Sequence, residues 1–422
     1  TTVAVRTIIR PRSNGELGIA ARYIDAHSEF DGLDPIFFTR ADTLDSADSE
    51  TAAIRAWARL GVDPETPFAI LVEGQYLASD NRNFNAGTPL NRTDGDRFRV
   101  AGQLEYRAEI GGTGHVLIAA VDREDESFSA RDQQFFGATS QDRARGRTAF
   151  VGEWRARWSG LLATDIAIRH DDFSRFEDAT TIRATAIANL TDRLSVTGAY
   201  GKGIAQPTFF DLFGFFPGSF VGNSALRPER SMGYELGIQW RSESYSLSVT
   251  AFQSELEDEI VSVFDPVTFL SSTANATGVS DRRGVEIAAS VEPLEGLRLD
   301  ANYTWLDADD QQVAGGVQLR EVRRPRHSAN IAFDYRSGPL MIGGSVAWVG
   351  EREDTDFDLF PAQTVTLDDY FLASLRIGYS ITERIELYGR ATNLFDEEYQ
   401  DVVGFRTPGA AFHAGLRLRL GS

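Results

Sequence analysis

The side chains best able to contact another molecule are concentrated in a few aromatic or acidic stretches. The segment from Ile204 to Arg230 carries far more apolar surface than a solvated loop usually exposes. Such side chains could contact a ligand, because aromatic rings offer area and stacking at low entropic cost. Alternatively, the segment packs on itself or on a neighbouring domain. Its phenylalanines are Phe209, Phe210, Phe213, Phe215, Phe216 and Phe220.

Acidic clusters offer carboxylate oxygens at closely spaced positions. Calcium prefers ligands of this kind, although acidic side chains also occur simply because they solvate a surface. No cofactor is required by the sequence, and calcium at the first cluster is the metal site that it suggests. The clusters are Asp42, Asp45 and Asp48; Asp307, Asp309 and Asp310; and Glu351, Glu353, Asp354, Asp356 and Asp358.

The composition excludes several kinds of active site. There is no cysteine, so disulfides, thiolate metal sites and cysteine nucleophiles are excluded. The five histidines are scattered, and no phosphate-binding, zinc-protease or serine-hydrolase motif stands on a suitable element. Catalysis is therefore not expected. The net charge of −20 also argues against nucleic-acid binding.

Arginine supplies all but one of the 42 basic residues, Lys202 being the exception. Its planar fork forms bidentate pairs with carboxylates, which suits bracing a polar interior or binding a second domain. An arginine-rich codon usage would explain the same composition, so both explanations stay open.

The elements that position these residues are indicated by an alternation of apolar and polar side chains. No apolar run approaches the roughly 20 residues of a membrane-spanning helix. In the clearest segments one face is apolar with aromatics near its ends, and the other carries charges of both signs. These segments are 98–110, 150–158, 297–305 and 412–420.

This alternation suits either a soluble β-sandwich or an outer-membrane β-barrel with a lipid-facing apolar surface. Sandwich strands usually have about 5 to 6 residues, whereas strands tilted across a bilayer need about 9 to 11, and the segments above have the greater length. Connections also alternate between short and long, as periplasmic turns and extracellular loops do in bacterial barrels. Both observations favour the barrel.

The strand-like runs number about 19, an odd number where single-chain bacterial barrels have an even number of strands. The gaps between these runs are the predicted connections. We therefore expect residues 1–422 to form one all-β, antiparallel transmembrane β-barrel domain that is incomplete at its N-terminus. Short turns are predicted at 12–15, 61–66, 111–113, 159–160, 191–193, 242–244, 292–296, 336–339 and 380–383, and long loops at 25–50, 78–96, 126–147, 171–179, 204–230, 256–283, 307–326, 351–369 and 394–410.

Four stretches resemble motifs of TonB-dependent outer-membrane receptors. Residues 200–213 are similar to the family's YGxxFRAPTxxxLY stretch, and residues 222–237 to its GNxxLxPExSxxxExG continuation. Residues 283–286 are similar to a following xGVE, and residues 393–409 to the terminal NLFDxxYxxxxGYxxPGR. The four stretches occur in the family's order, and their residues are most similar to those of the cobalamin-receptor branch.

The resemblance implies active transport of a bulky metal chelate across the bacterial outer membrane, with cobalamin favoured and a ferric siderophore close behind. Implied partners are outer-membrane lipid and the TonB–ExbB–ExbD complex acting through a plug domain. A surface lipoprotein would be a partner if the barrel is one component of a larger assembly, and the charge argues against nucleic acid. The protein would be integral to the membrane, with its long loops extracellular. The expected ligand contacts are Phe209, Phe213, Phe216, Tyr399, Phe405 and Arg406.

The sequence departs from the family pattern in three respects. The plug domain and its TonB box are absent from residues 1–422, and the last residues are Gly421 and Ser422 rather than an aromatic. The stretch from Gly111 to Thr148 is short by two strands or so, leaving about 19 of the presumed 22 of such transporters. Two other roles therefore stay open: a passive porin, or a structural barrel within a larger outer-membrane assembly.

Overall fold

The computed structural model describes residues 1–12, 14–34, 40–134, 136–137, 139–216, 219–313, 315–359 and 361–419. Nearly all of its regular structure is β. The elements are β1 (Thr2–Arg12), β2 (Gly15–Leu33), β3 (Arg40–Leu60), β4 (Phe68–Asn85), β5 (Thr88–Ile110), β6 (Thr113–Asp132), β7 (Gln141–Arg157), β8 (Leu162–Phe173), β9 (Ala179–Asn189), β10 (Leu194–Ala205), α1 (Phe209–Phe213), β11 (Phe215–Phe216), β12 (Phe220–Val221), β13 (Glu229–Arg241), β14 (Tyr245–Glu257), β15 (Ile260–Asp265), β16 (Leu270–Asn275), β17 (Val279–Leu294), β18 (Leu297–Asp310), β19 (Leu319–Arg320), β20 (His327–Ser337), β21 (Leu340–Val349), β22 (Arg352–Asp356), β23 (Gln363–Leu367), β24 (Tyr370–Thr382), β25 (Ile385–Thr392) and β26 (Ala411–Leu418).

Within these described residues, one sheet contains 20 strands, of which β19 is a two-residue strand. Strands that follow one another in sequence pair antiparallel, as in the β1–β2, β4–β5 and β25–β26 pairs. The predicted all-β antiparallel architecture is confirmed. Apart from β19, the sheet has 19 strands, which matches the predicted number of about 19. The predicted short turns fall between its strands.

The apolar side chains of neighbouring strands are in register on one face of the sheet. Ile54 lies opposite Tyr76, which lies opposite Phe98. Their exposed fractions are 42%, 43% and 50%. Because large side chains on the inner face of a soluble sandwich would be covered, this contiguous exposure matches the lipid-facing surface of an outer-membrane barrel.

Three predicted long loops are wrong, because most of their residues belong to paired strands. In 25–50, β2 and β3 pair as far as Leu33 opposite Arg40, and in 126–147, β6 and β7 pair as far as Ala130 opposite Gln141. Residues 78–96 are not a long loop, because β4 and β5 continue pairing as far as Asn85 opposite Thr88. Between them, Ala86 and Gly87 both have positive φ, 47° and 78°, as a two-residue type I′ hairpin requires. The polar sequence hid this strand extension, because strands that project into water need no apolar face. The same effect lengthens β2, β3 and β5 to 19, 21 and 23 residues.

The chain divides into two compact units. The first unit contains residues 1–186, 200–232 and 257–277, and it includes a small sheet in the order β11-β12-β16-β15. The second unit contains residues 187–199, 233–256 and 278–422, and it includes the separate β22–β23 hairpin.

A chain of ion pairs crosses the polar face of the first unit from β3 to β8, and we call it the ion-pair ladder. Its carboxylates are almost completely buried, with Glu73, Asp122 and Asp171 at 9%, 5% and 1% exposure. Each is shared or held by arginine forks, which supports the bracing role considered for arginine above. The contacts are Arg55 Nε to Glu73 Oε2 at 3.1 Å, Arg99 Nη1 to Glu73 Oε1 at 3.4 Å, Arg99 Nη2 to Asp122 Oδ2 at 3.5 Å, Arg169 Nη1 to Asp122 Oδ2 at 3.2 Å and Arg169 Nη2 to Asp171 Oδ1 at 2.7 Å.

A row of stacked rings crosses four neighbouring strands of the second unit, at the ends that carry long loops. Tyr303 stacks on His327, His327 on Trp348, and Trp348 on Phe371, with centroid distances of 6.1, 6.4 and 6.1 Å. Tyr379 lies eight residues further along β24 on the same face. At about 3.4 Å per residue and a tilt of about 40°, this separation is on the order of 20 Å, close to the apolar band between the aromatic girdles of outer-membrane barrels.

No helix among the described residues has the length and apolar character needed to cross a membrane.

Candidate ligand-binding loops

In the first unit, the aromatic segment is organised around the short helix α1. Thr208 is its N-cap, accepting a hydrogen bond from the Asp211 N–H at 3.1 Å and donating its own N–H to Asp211 Oδ2 at 2.8 Å. This reciprocal pair is a capping box. The helix ends at Gly214, whose N–H donates to the Phe210 carbonyl at 2.7 Å. The local sequence therefore fixes the direction of the phenylalanines.

The following turn binds this segment to the 258–278 connection. Asn223 Nδ2 donates to the Thr273 carbonyl at 3.0 Å, and Thr273 Oγ1 donates to the Asp211 carbonyl at 2.9 Å. Leu212 is 1% exposed, and the Phe210 and Phe220 rings stack at 4.7 Å. Part of the aromatic segment thus packs on itself, which is the structural alternative considered above.

Arginines cover the remaining phenylalanines. Arg143 and Arg175 lie over the Phe213 ring at 4.5 and 4.7 Å from its centroid, and Arg145 lies over Phe209 at 4.6 Å. Among the described residues, neither Arg143 nor Arg175 forms an ion pair. Guanidinium groups over an aromatic face gain cation–π energy and still offer their N–H donors at the edge. This arrangement can bind a flat ligand that carries negative charge.

The sequence grouped Phe209 and Phe213 as expected ligand contacts, and in the structure both rings lie under arginines of the same region. Phe216 is 40% exposed, and its ring lies 5.9 Å from Phe210. The arginines were missed, although Arg143 and Arg145 alternate along β7 and so share one face. That alternation is the signal that could have found them.

In the second unit, Asp354 binds together three long connections, residues 311–326, 350–369 and 393–410. Its side chain is 0% exposed. Oδ1 accepts from Arg323 Nε at 2.9 Å and from the Thr355 N–H at 2.8 Å, and Oδ2 accepts from the Val403 N–H at 2.8 Å. We call Arg323, Asp354, Thr355 and Val403 the Asp354 cluster. It is a buried, charged contact that all three connections share.

The pKa of the Asp354 carboxyl lies below its usual range. Burial raises the pKa, but the hydrogen bonds from the Val403 and Thr355 N–H groups and from the Arg323 guanidinium outweigh it. The carboxylate is therefore ionised at neutral pH, as its donor-only surroundings require.

A second contact set beside this cluster involves Arg352, which is 3% exposed. Its Nη2 donates to the Gln400 carbonyl and to Asp401 Oδ1, and its guanidinium lies 5.2 Å from the Tyr370 ring centroid. Tyr370 donates to Asp401 Oδ1 at 2.8 Å and packs against the Tyr399 ring at 4.3 Å. Tyr399, a predicted ligand contact, therefore lies in the packed base of this loop.

The other two predicted contacts in this loop are exposed. Phe405 is 55% exposed, and its N–H donates to the Val402 carbonyl at 3.1 Å. Arg406 is exposed beside it. The motif residues before them have structural roles: Asn393 Nδ2 donates to the Glu397 carbonyl at 2.9 Å, and Asp396 Oδ1 accepts from the Ala410 N–H at 2.7 Å. Whether any of these side chains contacts a ligand stays a prediction.

The predicted calcium ligands Asp42, Asp45 and Asp48 lie along β3. Alternation places Asp45 and Asp48 on opposite faces of this strand, and Asp42 lies where the register with β2 shifts. Asp45 accepts from Thr43 Oγ1 at 3.0 Å, and Asp48 contacts His27 Nδ1 at 2.6 Å. In the described part of the chain, no group of three or more His, Asp or Glu side chains is arranged to hold a metal ion. Calcium binding stays a prediction that this geometry does not favour.

Residues 12–394 match the family described as TonB dependent receptor-like, beta-barrel. The vitamin B12 transporter BtuB of Photobacterium profundum is 26% identical over 407 residues, covering 91% of this chain and 58% of that protein. BtuB of Vibrio cholerae serotype O1 is 25% identical over 290 residues, covering 68% of this chain and 44% of that protein. The chain thus spans about half the length of these relatives.

Solved structures share the fold. The siderophore receptor PirA from Acinetobacter baumannii superposes with a TM-score of 0.79 at 16% identity, covering 99% of this chain and 70% of that one. A mutant ferric enterobactin receptor from Pseudomonas aeruginosa in complex with enterobactin gives a TM-score of 0.79 at 15% identity, with 99% and 70% coverage. At these identities the likeness shows the fold alone. Because the family match extends over most of the chain, the chain belongs to the TonB-dependent receptor-like β-barrel family, whose members are integral proteins of the bacterial outer membrane.

Proposed function

We propose that this chain takes up a bulky metal chelate across the bacterial outer membrane, with cobalamin as the favoured substrate. The observation that carries the proposal is the match to the receptor family over residues 12–394, together with relatives named as vitamin B12 transporters. These relatives cover most of this chain, which supports cobalamin over other chelates. The chain is a transporter in this proposal, not an enzyme.

A ferric siderophore is the second candidate, and one observation favours it. Arg143 and Arg175 bracket Phe213 and form no ion pair among the described residues. Aromatic siderophores bound to iron carry net negative charge and present flat aromatic rings at their periphery, so they would complement these guanidinium groups. Cobalamin offers less negative charge to such a site.

Transport would be driven by the TonB–ExbB–ExbD complex pulling on a plug domain. In that arrangement the loops capture the chelate and the barrel supplies the path. A passive porin would show open ionic conductance in planar bilayers without a plug. A purely structural barrel would bind neither chelate and would co-purify with another outer-membrane protein, such as a surface lipoprotein.

Calorimetric titration of the purified chain tests substrate class. Cyanocobalamin and a ferric tris-catecholate are titrated separately, each with and without calcium. Submicromolar binding of cobalamin supports the favoured substrate, and submicromolar binding of the catecholate alone moves the assignment to siderophores. If a folded chain binds neither, the capture role of these loops is wrong.

Variants locate the binding surface. Phe213→Ala should weaken binding of the accepted chelate by about tenfold, about 1.4 kcal/mol, because it removes the ring that both arginines cover. Phe412→Ala is the matched control: Phe412 is 71% exposed on strand β26, outside the candidate loops, and has no ring partner among the described residues. Equal loss in both variants would contradict the assignment of the site to Phe213.

A further inference from the structure

One face of β7 carries three side chains that contact residues 206–214, which we call the α1 segment. Gln141, Arg143 and Arg145 alternate along β7 and so share this face. Gln141 Nε2 donates to the Phe213 carbonyl at 2.7 Å, and Arg143 lies over the Phe213 ring. Arg145 contacts the other end of the α1 segment. All these contacts lie within the first unit.

Arg145 is held by protein groups on several sides. Its Nε donates to Glu126 Oε2 at 2.6 Å, and its Nη1 donates to the Pro207 carbonyl at 2.6 Å. Its guanidinium lies 4.6 Å from the Phe209 ring centroid, and that ring stacks on Phe128 at 5.5 Å. The Arg145 side chain is only 12% exposed. Arg145 therefore fixes the start of α1 against β6 and β7.

Arg143 is placed differently, although it stands only two residues away on the same face. It is exposed, and it forms no ion pair among the described residues. Its Nη1 donates to the carbonyl of the adjacent Asp142 at 3.1 Å. Arg143 can therefore contact a ligand at the Phe213 ring, whereas the donors of Arg145 are occupied by Glu126 and Pro207.

We propose that Arg145 is a positioning residue of the candidate chelate site. It holds the Pro207 carbonyl and the Phe209 ring, and it thereby sets the position of the Phe213 ring under Arg143 without contacting the chelate. The helix can transmit this constraint because residues four apart lie one above the other on the same face. The inference rests on the proposed function, since it concerns the same loop site.

A double-mutant cycle tests whether Arg145 acts through Phe213. Affinities for cyanocobalamin and, separately, for a ferric tris-catecholate are measured by calorimetry. Arg145→Gln should weaken binding at least about tenfold, because a charged donor in a mostly buried position is lost. The double variant Arg145→Gln, Phe213→Ala should bind no more weakly than Phe213→Ala alone.

Two results of this cycle would overturn the proposal. Losses that add to about a hundredfold in the double variant would mean that Arg145 acts on the chelate independently of Phe213. An unchanged affinity in Arg145→Gln would mean that the position of the ring does not depend on Arg145.

Two further variants separate the guanidinium fork from charge. Arg145→Lys keeps the charge but lacks the fork that serves Glu126 and Pro207 together, so its affinity should be intermediate. Arg123→Gln is the matched control, because Arg123 pairs with Asp125 at 3.1 Å on the face of β6 opposite to Glu126. It should bind like the unmodified chain, and weakening equal to that of Arg145→Gln would refute the positioning role.

Hydrogen exchange without any chelate tests the positioning separately from uptake. In Arg145→Gln, amides of the α1 segment should exchange at least about tenfold faster, while those of β13 and β14 keep their protection. Faster exchange in a chain that binds neither chelate would overturn the proposed function and still support the positioning of α1. Unchanged exchange in a chain that binds a chelate would overturn the positioning alone.

Folding of each variant is checked by the heat-dependent gel shift and by β-sheet circular dichroism. If Arg145→Gln does not fold, Arg145→Lys takes its place in the cycle and in the exchange experiment. Unchanged affinity together with unchanged exchange in Arg145→Lys would then overturn the proposal.

Discussion

Replacement of Asp354 by asparagine should release the three loops that it binds together. Asparagine keeps the volume but replaces one acceptor oxygen with a donor. Whichever way the amide turns, its NH₂ group faces a donor: the Val403 N–H, or the Arg323 and Thr355 donors. The site therefore loses at least one hydrogen bond to a charged acceptor and leaves a buried donor unsatisfied.

The size of the effect follows from those contacts. A hydrogen bond to a charged group contributes about 1.5 to 3 kcal/mol, and an unsatisfied buried donor costs about 1 to 3 kcal/mol. The ion pair between Arg323 and Asp354 contributes at most about 1 kcal/mol of this, because the Arg323 side chain is 46% exposed and so screened by solvent. We expect docking of the loops to weaken by about 3 kcal/mol, about a hundredfold in their opening equilibrium.

Hydrogen exchange measured by mass spectrometry checks this expectation. Peptides from residues 311–326, 350–369 and 393–410 should exchange about a hundredfold faster in Asp354→Asn, while peptides from β20 and β21 keep their protection. Asp368→Asn, an exposed carboxylate near the end of the same connection, is the control and should exchange like the unmodified chain. Unchanged exchange in Asp354→Asn, or faster exchange in only one of the three segments, would refute the cluster as a shared anchor.

Three further outcomes are expected. Asp122→Asn in the ion-pair ladder should lower the free energy of unfolding by about 3 kcal/mol, because it breaks a buried charge network. Urea titration of the barrel measures this free energy. A change below about 1 kcal/mol would show that the ladder is not stabilising. Gly18→Ala should displace the Trp57 ring, which the new Cβ would approach to 2.0 Å, and unaltered tryptophan fluorescence would contradict this. The hydrogen bond to Asp48 raises the pKa of His27, so their contact at the loop end of β2 and β3 is fully present below a pH of about 6.5 and is lost as pH rises through the higher folded-state pKa. Amide exchange near this contact should therefore accelerate between neutral and alkaline pH relative to His27→Gln, and parallel pH profiles in the two proteins would rule the contact out as the cause.

The sequence predicted the strands well because a lipid-facing strand must alternate its side chains. Segment 98–110 shows this, since Phe98 and Val100 are 50% and 42% exposed on the apolar face while Arg99 joins the ladder on the other. Where the strands leave the membrane, the alternation is no longer required. The extension of β4 and β5 to the Ala86–Gly87 turn was therefore invisible to that reasoning.

The candidate site was predicted only in part, because its contacts are distant in sequence. Phe209 and Phe213 were found from the aromatic composition of one segment, but Arg143 and Arg175 come from β7 and from the connection after β8. Asp354 was considered only as one carboxylate in an acidic cluster. Its structural role depends on Val403, 49 positions away in the sequence, and no local pattern specifies that partner.

Binding of cobalamin to the purified, folded chain, measured by calorimetry beside a ferric tris-catecholate, tests the central claim most directly. The expected result is submicromolar binding of cobalamin that Phe213→Ala weakens and Phe412→Ala does not. Failure to bind either chelate, with the barrel folded and the loops protected from exchange, would contradict the account of this chain as a chelate-capturing receptor barrel.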